Sequence, residues 1–512
     1  MAAPRRGKKS PLWLPLLFIA GLAAFSAVPH IQDNASLLNS FVGATAILLL
    51  WLGVLFVASS RRPLSFDVQL RPQHYVQAVA HTSIFVYWSF YWPPIVEAAP
   101  LIAAQIVFAY AFDMLLCWSR RDSFTLGFGP FPIIYSTNLF LRFHDDWFAL
   151  QFVMIAVGML VKELVRWERG GRRVHIFNPS SFPLALASLL LIVSGSTDIT
   201  WGEGIATQLF LPPQIFLFIF LVSLPGQLKF GVTTMTLSAV LTTYLFSLAY
   251  FRWTGTYYFI DDNIPIAVFL GMNLLFTDPS TSPQSELGRI IFGVTYGATV
   301  VWLYWFLGTL GVPTFYDKLL QVPLMNLAVR RIDAIARSPR LAWLDPARLG
   351  AEWPKMRRNF AYTSIWVVVF GTLTFTKELG DLHPGHHVPF WVKACDEGRR
   401  NGCRTLEEIE LHYCGIGSGW ACNDLGVLMT EGRLKDNTHA DQAFARACGF
   451  GNQVACANRA RAAGQAPKRS EPSAADLTLL LREGKGALPN LPEAQLHARA
   501  CAQGWAQFCA PK

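Results

Sequence analysis

Two short loops in the apolar part of the chain combine residue types that bind anions. Residues 178–181 read Asn-Pro-Ser-Ser, and residues 278–281 read Asp-Pro-Ser-Thr. An Asn or Asp side chain caps the free N–H groups of a helix start, and Pro suits the first helical position, so each loop is compatible with a purely structural role. Hydroxyls and free N–H groups at a helix start also bind phosphate, and paired broken helices mark central sites in membrane proteins. Under this second interpretation, the candidate ligand-binding residues are Asn178, Ser180, Ser181, Asp278, Ser280 and Thr281.

A second chemical pattern, Cys-x2-Gly-x4-Cys, occurs four times near the end of the chain. An unbroken helix would hold two such Cα atoms about 12 Å apart, whereas a Gly turn that folds one helix back on the next brings them within about 6 Å, which a disulfide can span. Disulfides persist in oxidising compartments, so we expect this region to lie outside the cytoplasm. The predicted pairs are Cys395–Cys403, Cys414–Cys422, Cys448–Cys456 and Cys501–Cys509.

The composition indicates which environment holds these residues. Hydrophobic residues make up 52% of the chain and charged residues 15%, with 38 Phe and 17 Trp, which is typical of a polytopic membrane protein that contacts lipid. The net charge of +9 does not indicate nucleic-acid binding, because the basic residues form short clusters between apolar runs. The positive-inside rule places such clusters in cytoplasmic loops.

Apolar runs long enough to cross a membrane give an orientation. They lie near residues 12–29, 41–58, 78–96, 99–118, 124–142, 148–165, 180–196, 209–226, 230–250, 264–277, 290–312 and 360–376. Basic clusters at residues 5–9, 61–62, 120–121, 162–173 and 330–358 are assigned to the cytoplasm. The runs before residue 330 would leave the basic cluster at 330–358 outside if the N-terminus is cytoplasmic. Either one run is therefore re-entrant or residues 315–329 form a further span. We prefer the further span, with Asp317 and Lys318 reaching water at its outer end. The N-terminus is then cytoplasmic and the C-terminal region periplasmic, in a bacterial inner membrane.

Three stretches resemble a known family. They are Gly-Gly-Arg-Arg-Val-His-Ile-Phe-Asn-Pro at 170–179, Leu-Phe-Thr-Asp-Pro-Ser-Thr-Ser-Pro at 275–283 with Gly-Arg-Ile-Ile-Phe-Gly at 288–293, and residues 319–329. They resemble the membrane flavoproteins that form the B subunit of sodium-pumping NADH:quinone reductase and the D subunit of the Rnf electron-transport complex. The resemblance covers roughly residues 65–335. It implies a core of two five-helix halves that carries FMN and passes electrons through the membrane.

The same resemblance nominates a flavin attachment residue. Members of that family attach FMN through a phosphoester to a Thr in a Ser-Gly-Ala-Thr type motif on the outer side. The nearest match is Gly-Ile-Ala-Thr at 204–207, which lacks the Ser-Gly pair and ends in Thr207. The chain has no Gly-rich nucleotide-binding turn and no cysteine cluster for iron and sulfur, so the redox donor and acceptor must be partner proteins.

The cysteine-containing region resembles Sel1-like repeats of the secreted, cysteine-rich kind, on residues 422–432 and on the Ala-Cys pairs at 447–448 and 455–456. Each such repeat is a pair of antiparallel helices, and the pairs stack as a solenoid that binds protein. The predicted fold is therefore all-α, a membrane helical bundle followed by an extracytoplasmic α-solenoid. The predicted domains are N-terminal membrane helices 1–64, a flavoprotein-like core 65–329, a basic connector 330–359, a final transmembrane helix 360–376 and the repeat domain 377–512. A small-solute transporter or channel and a cofactor-free scaffold remain as alternative functions.

Overall fold

The computed structural model describes residues 13–58, 64–121, 123–169, 171–348, 351–434, 438–461, 465–481 and 491–509. Regular structure in these ranges is helical apart from two small two-stranded sheets, so the all-α prediction is confirmed. The predicted basic clusters at residues 5–9 and 61–62 lie outside the described residues.

The described residues divide into two compact units. The first contains residues up to Leu209, Phe216–Thr243 and Ile266–Val369, and the second contains Phe210–Ile215, Tyr244–Pro265 and residues from Phe370 onwards. The helices up to residue 375 are α1 Trp13–Phe25, α2 Pro29–Gln32, α3 Ala35–Ala58, α4 Pro72–Ser89, α5 Pro94–Arg120, α6 Pro130–Phe140, α7 Phe148–Leu164, α8 Ser181–Ser194, α9 Gly202–Gln208, α10 Ile215–Phe230, α11 Thr233–Thr254, α12 Ile266–Leu270, α13 Glu286–Thr309, α14 Val322–Ala336 and α15 Lys355–Phe375. Strands β1 Ser65–Val68 and β2 Ser123–Leu126 pair in parallel, and β3 Arg166–Arg169 and β4 Arg172–His175 form an antiparallel hairpin.

Several helices are long and apolar enough to cross a membrane. Among the described residues there are five such segments, which are α3, α5, residues Asp145–Leu164, α11 and α13. Their lipid-facing character is evident on α3, where Leu50 and Val57 are 71% and 79% exposed. A 24-residue helix of mean hydropathy 2.5 with such exposed apolar side chains matches a lipid environment. The chain is therefore a membrane protein.

Helices α11 and α13 pack closely because glycines line one face of α13. A Cβ atom on Gly293 would lie 2.2 Å from the carbonyl oxygen of Met235, and one on Gly297 would lie 2.7 Å from that of Ala239. Small residues four apart allow two membrane helices to bring their backbones together. The resemblance-bearing stretch at 288–293 thus includes one of the two glycines that seat α13 on α11.

Three predicted spans have a different form from the continuous helices expected. The run at 124–142 contains β2 and then α6, whose 11 residues measure only about 16 Å. The run at 264–277 contains α12, which continues as one π-helical turn at Gly271–Leu275. The proposed further span at 315–329 is interrupted, since a 3₁₀ turn at Thr314–Lys318 precedes α14. Helix starts at Pro130 and Pro323 account for two of the breaks, because Pro suits a first turn but not a helix interior.

The expectation that Asp317 and Lys318 reach water is wrong. Their exposed fractions are 1% and 3%, and the Lys318 ammonium lies 3.0 Å from the Asp317 carboxylate. The two charges neutralise each other inside the protein, which removes the need for either side chain to reach solvent.

The second unit contains the cysteine pairs. Its helices are α16 Val388–Asp396, α17 Gly402–Gly415, α18 Gly419–Thr430, α19 Ala440–Gly449, α20 Gln453–Ala460, α21 Ala474–Leu480 and α22 Glu493–Ala502. All four predicted cysteine pairs are at disulfide distance, with Cα–Cα separations of 4.3–4.8 Å. Three of them join the end of one helix to the start of the next. The fourth joins α22 to a 3₁₀ turn at Ala506–Phe508, so the last pattern does not form a helix pair.

Each disulfide depends on the glycine within its Cys-x2-Gly-x4-Cys pattern. Gly398, Gly417, Gly451 and Gly504 all have positive φ, between 65° and 108°. A residue with a Cβ atom is strained in that conformation, whereas glycine ends a helix there at little cost. The paired cysteines indicate an oxidising, extracytoplasmic environment for this unit.

Candidate functional site

The side chain of Asn178 organises the start of α8. Its Oδ1 atom accepts hydrogen bonds from the N–H groups of Ser180 and Ser181, at 3.0 and 3.2 Å, and from the Ser180 hydroxyl at 2.8 Å. These three donors could serve a bound phosphate and are already engaged, whereas the Ser181 hydroxyl is buried without a hydrogen-bond partner among the described residues. The contacts at this loop favour the structural interpretation, in which Asn178 caps the helix.

The remaining polar groups of Asn178 connect the two loops found in the sequence. Its Nδ2 atom donates to the carbonyl oxygen of Leu275 at 2.8 Å, and its backbone N–H donates to Oδ1 of Asn326 at 3.0 Å. The Nδ2 atom of Asn326 donates in turn to the carbonyl oxygen of Thr281 at 3.1 Å. Asn178 and Asn326 are 5% and 1% exposed. We call this arrangement of Asn178, Leu275, Thr281 and Asn326 the asparagine joint.

The loop at 278–281 is a turn and does not open a helix. The Asp278 carboxylate accepts from the Ser280 N–H at 2.9 Å and from the Thr281 hydroxyl at 3.2 Å. Its Oδ2 atom also lies 3.4 Å from Nε2 of His175. The next helix, α13, begins only at Glu286 and is capped by Ser285. Pro283 explains why α13 does not begin earlier, because the residue before a proline is disfavoured in the helical conformation.

Two ion pairs lie on the segments next to the asparagine joint. Arg169 at the end of β3 donates to the carbonyl oxygen of Ser282 at 2.8 Å and to the Asp333 carboxylate at 2.9 Å. Asp333 also accepts from the Ser285 hydroxyl at 3.1 Å. Arg289 is paired with Glu286 at 2.5 Å. These cations are matched by carboxylates and offer no excess positive charge to an anionic ligand.

Thr207 lies on a different element and is accessible. It is an exposed residue of α9, where its hydroxyl donates to the carbonyl oxygens of Glu203 and Gly204 at 2.9 and 3.2 Å. The first residue of α9, Gly202, has no room for a Cβ atom, which would lie 2.4 Å from the ring of Phe315. The start of α9 therefore packs against Phe315, which lies in the segment before α14.

Two buried asparagines with matching contacts lie near the ends of the short helices, Asn138 within α6 and Asn273 in the π-helical turn that follows α12. Nδ2 of Asn138 donates to the carbonyl oxygen four residues earlier at 2.8 Å and to Gln105 at 2.7 Å. Nδ2 of Asn273 donates four residues back at 2.8 Å, and its Oδ1 accepts from Gln227 at 2.7 Å. The ends of the two short helices meet, because the Phe140 ring lies 3.9 Å from a Cβ atom built on Gly271.

Sequence reasoning missed the residue that completes the joint. Asn326 is within a stretch that we quoted for its family resemblance but did not propose as a site residue. A signal was present, because a lone amide within the apolar run Pro-Leu-Met-Asn-Leu must find a hydrogen-bond partner. Arg169 and Asp333 carried no such signal, since both lie in strongly charged surroundings.

Comparison with known proteins gave no relative on which to rest a function. No protein-family model, curated protein or solved structure matches this chain.

Proposed function

We propose that this chain is a membrane-embedded, flavin-carrying electron-transfer subunit with an extracytoplasmic protein-interaction domain. One observation supports this proposal above the others. The three stretches that resemble the membrane flavoprotein family, at 170–179, 275–293 and 319–329, meet in the asparagine joint. They are separated by up to about 150 residues in the chain. The three stretches that resemble this family therefore form one buried site, as we expect if the core resembles the core of that family.

The residues of this chain fit a flavin phosphate at Thr207 better than at the loops. Thr207 is exposed, whereas Ser180 and Ser181 of the 178–181 loop are buried and their N–H groups donate to Asn178. Asp278 would repel an anion. When bound, FMN would supply a group that accepts and releases one or two electrons. The asparagine joint would then act as a rigid support that fixes the helix ends, and the buried Asp317–Lys318 pair would hold the segment that packs against Gly202.

The rest of the proposal concerns orientation and partners. We place the N-terminus in the cytoplasm and the second unit in the periplasm of a bacterial inner membrane. The stapled helices of the second unit would stack as Sel1-like repeats that bind a protein partner. Electron donor and acceptor would both be separate redox proteins, because the sequence contains no nucleotide-binding turn or iron–sulfur ligand set.

The proposal is tested by purifying the full-length protein in mild detergent and measuring flavin absorbance and fluorescence. We expect yellow protein whose fluorescence survives denaturing electrophoresis, and an intact mass increased by FMN. Thr207→Ala should abolish the acid-stable flavin, and Thr207→Ser should retain part of it because a hydroxyl remains. Thr309→Ala alters another exposed, helix-bonded threonine and should retain all of it. Wild-type protein without any flavin would contradict the redox function.

A small-solute transporter is the second candidate, and the two short helices favour it. Broken helices whose ends meet inside the protein are where many transporters hold their substrate. The buried amides of Asn138 and Asn273 would be the polar groups of such a site. Flavin-free protein that takes up a solute in vesicles, with uptake lost in Asn273→Leu, would favour this function. Flavin-free protein that shows no uptake but captures a partner through residues 377–512 would favour the scaffold.

A further inference from the structure

An open apolar groove follows the surface of α4. Its volume is about 550 Å³, and α10 and the segment before α6 form its walls. Lining positions on α4 recur every three or four residues from 75 to 90, so they form one stripe about 22 Å long. The lining residues include Tyr75, Val79, Val86, Phe90, Phe131 and Phe218. Val79 and Val86 are 65% and 53% exposed, so the floor of the groove is uncovered.

One end of the groove is positively charged. Arg71 immediately precedes α4, one helical turn before Tyr75, and Nζ of Lys229 lies 5.7 Å from the centre of the Tyr75 ring. Arg71 bonds to the amide oxygen of Gln69. In the part of the chain that the structure describes, neither cation is within salt-bridge distance of a carboxylate, and the groove lining contains no acidic residue.

The other end of the groove is closed by aromatic contacts. The rings of Tyr87 and Phe218 have their centres 4.6 Å apart. Phe218 is near the start of α10 and Lys229 near its end, so α10 runs antiparallel to α4 and flanks the groove over its whole length. A ligand that matches this surface is long and apolar with an anionic group at one end.

We propose that the groove binds an anionic phospholipid, with an acyl chain along α4 and the phosphate between Arg71 and Lys229. Basic residues beside grooves between membrane helices select acidic headgroups, and each contributes an attraction that a zwitterionic headgroup largely cancels. An uncharged isoprenoid lipid would gain the apolar contact but would leave the two cations unmatched. This inference depends on the membrane location of the chain and not on flavin binding.

Native mass spectrometry of the full-length, delipidated protein tests the charged end. The protein is titrated with phosphatidylglycerol or phosphatidylcholine that carry identical acyl chains. We expect phosphatidylglycerol to bind more tightly, and Arg71→Gln with Lys229→Gln to weaken it about fivefold per removed charge. Phosphatidylcholine binding should not change in that variant. Arg252→Gln removes a charge in the last turn of α11 from a residue that does not line the groove, and should leave both lipids unaffected.

A second pair of variants tests the apolar length. Val79→Trp should fill the groove and reduce retention of both lipids, whereas Val193→Trp, at an equally lipid-facing position of α8, should reduce neither. Both positions are exposed, so neither tryptophan has to be accommodated in the core. Equal binding of the two lipids by the wild-type protein would overturn the proposal. So would an unchanged phosphatidylglycerol preference in the double charge variant, or displacement of phosphatidylglycerol by an equimolar neutral isoprenoid quinone.

Discussion

Asn326 shows how much one buried amide contributes at the residue scale. It satisfies a backbone donor of Asn178 and a backbone acceptor of Thr281, from two loops that are distant in the chain. We expect Asn326→Leu to lower the unfolding free energy by about 2–5 kcal/mol, because two buried polar groups each lose their partner. The measurement is the midpoint of thermal unfolding of the purified protein in detergent.

Met325, the residue before Asn326, provides the control for this measurement. Met325 is 5% exposed, and Met325→Leu conserves volume at a buried position, so that variant should lose less than about 1.5 kcal/mol. If the two variants unfold at the same temperature, Asn326 does not hold the joint.

A buried carboxyl pair makes the second unit sensitive to pH. Glu410 is fully buried beside Asp424, which is paired with Arg469 at 3.1 Å. Burial, and then the neighbouring Asp424 charge, raises the pKa of Glu410 well above its ordinary value, and burial also raises the pKa of Asp424. A raised carboxyl pKa means that the folded state holds its proton to higher pH than the unfolded chain does. The corresponding stability is complete below a pH of about 4.3 and decreases as the pH rises towards the folded-state pKa.

We therefore expect α17 and α18 to be better protected from hydrogen exchange at mildly acidic pH than at neutral pH, after correction for the intrinsic exchange rate. Glu410→Gln removes the Glu410 titration and should reduce this pH dependence. Glu471→Gln neutralises an exposed carboxylate and should preserve it. A pH dependence that persists in Glu410→Gln would have to come from another group.

At the scale of elements, the spacing of nearby residues predicted the helix turns, whereas hydropathy did not predict where the short helices end. The four cysteine pairs follow from an eight-residue separation with one glycine inside, which fixes a turn regardless of the rest of the fold. The short helices α6 and α12 were not predicted, because hydropathy does not distinguish a helix that spans the membrane from one that stops within it. The Gly-Phe-Gly-Pro sequence at 127–130 was the available sign of a break.

Each disulfide should contribute measurably to the stability of the helix turn that it closes. Replacing both Cys448 and Cys456 by Ala opens a loop of eight residues, and the chain-entropy model gives a loss of about 2.5 kcal/mol. We expect faster proteolysis at α19 and α20 in the variant, and unreduced peptide mapping of the wild-type protein should return the four pairs. Recovery of any other cysteine connectivity would contradict the helix-turn arrangement. Cys117→Ala is the control, because this buried thiol on α5 is not in a disulfide.

At the scale of the whole molecule, orientation depends on α15. The predicted final span at 360–376 coincides with most of this helix, yet α15 is not among the five segments that are long and apolar enough to cross a membrane, and Lys355, Arg357 and Arg358 lie in its first turn. Beyond that turn one face of α15 is buried through Trp366 and Phe370, whereas Val368 and Phe375 are apolar and 67% and 89% exposed. Basic residues at one end of an apolar helix hold that end on the cytoplasmic side.

This orientation predicts opposite compartments for the two sides of α15. An alkaline phosphatase reporter, which requires an exported location, should be inactive when fused after Arg337 and active when fused after Lys512. A cytoplasm-dependent fluorescent reporter should give the reverse pattern at the same two positions. The disulfides of the second unit are consistent only with the exported location, because the cytoplasm would keep their cysteines reduced. Phosphatase activity at both positions would mean that α15 does not cross the membrane and that an earlier helix carries the last crossing.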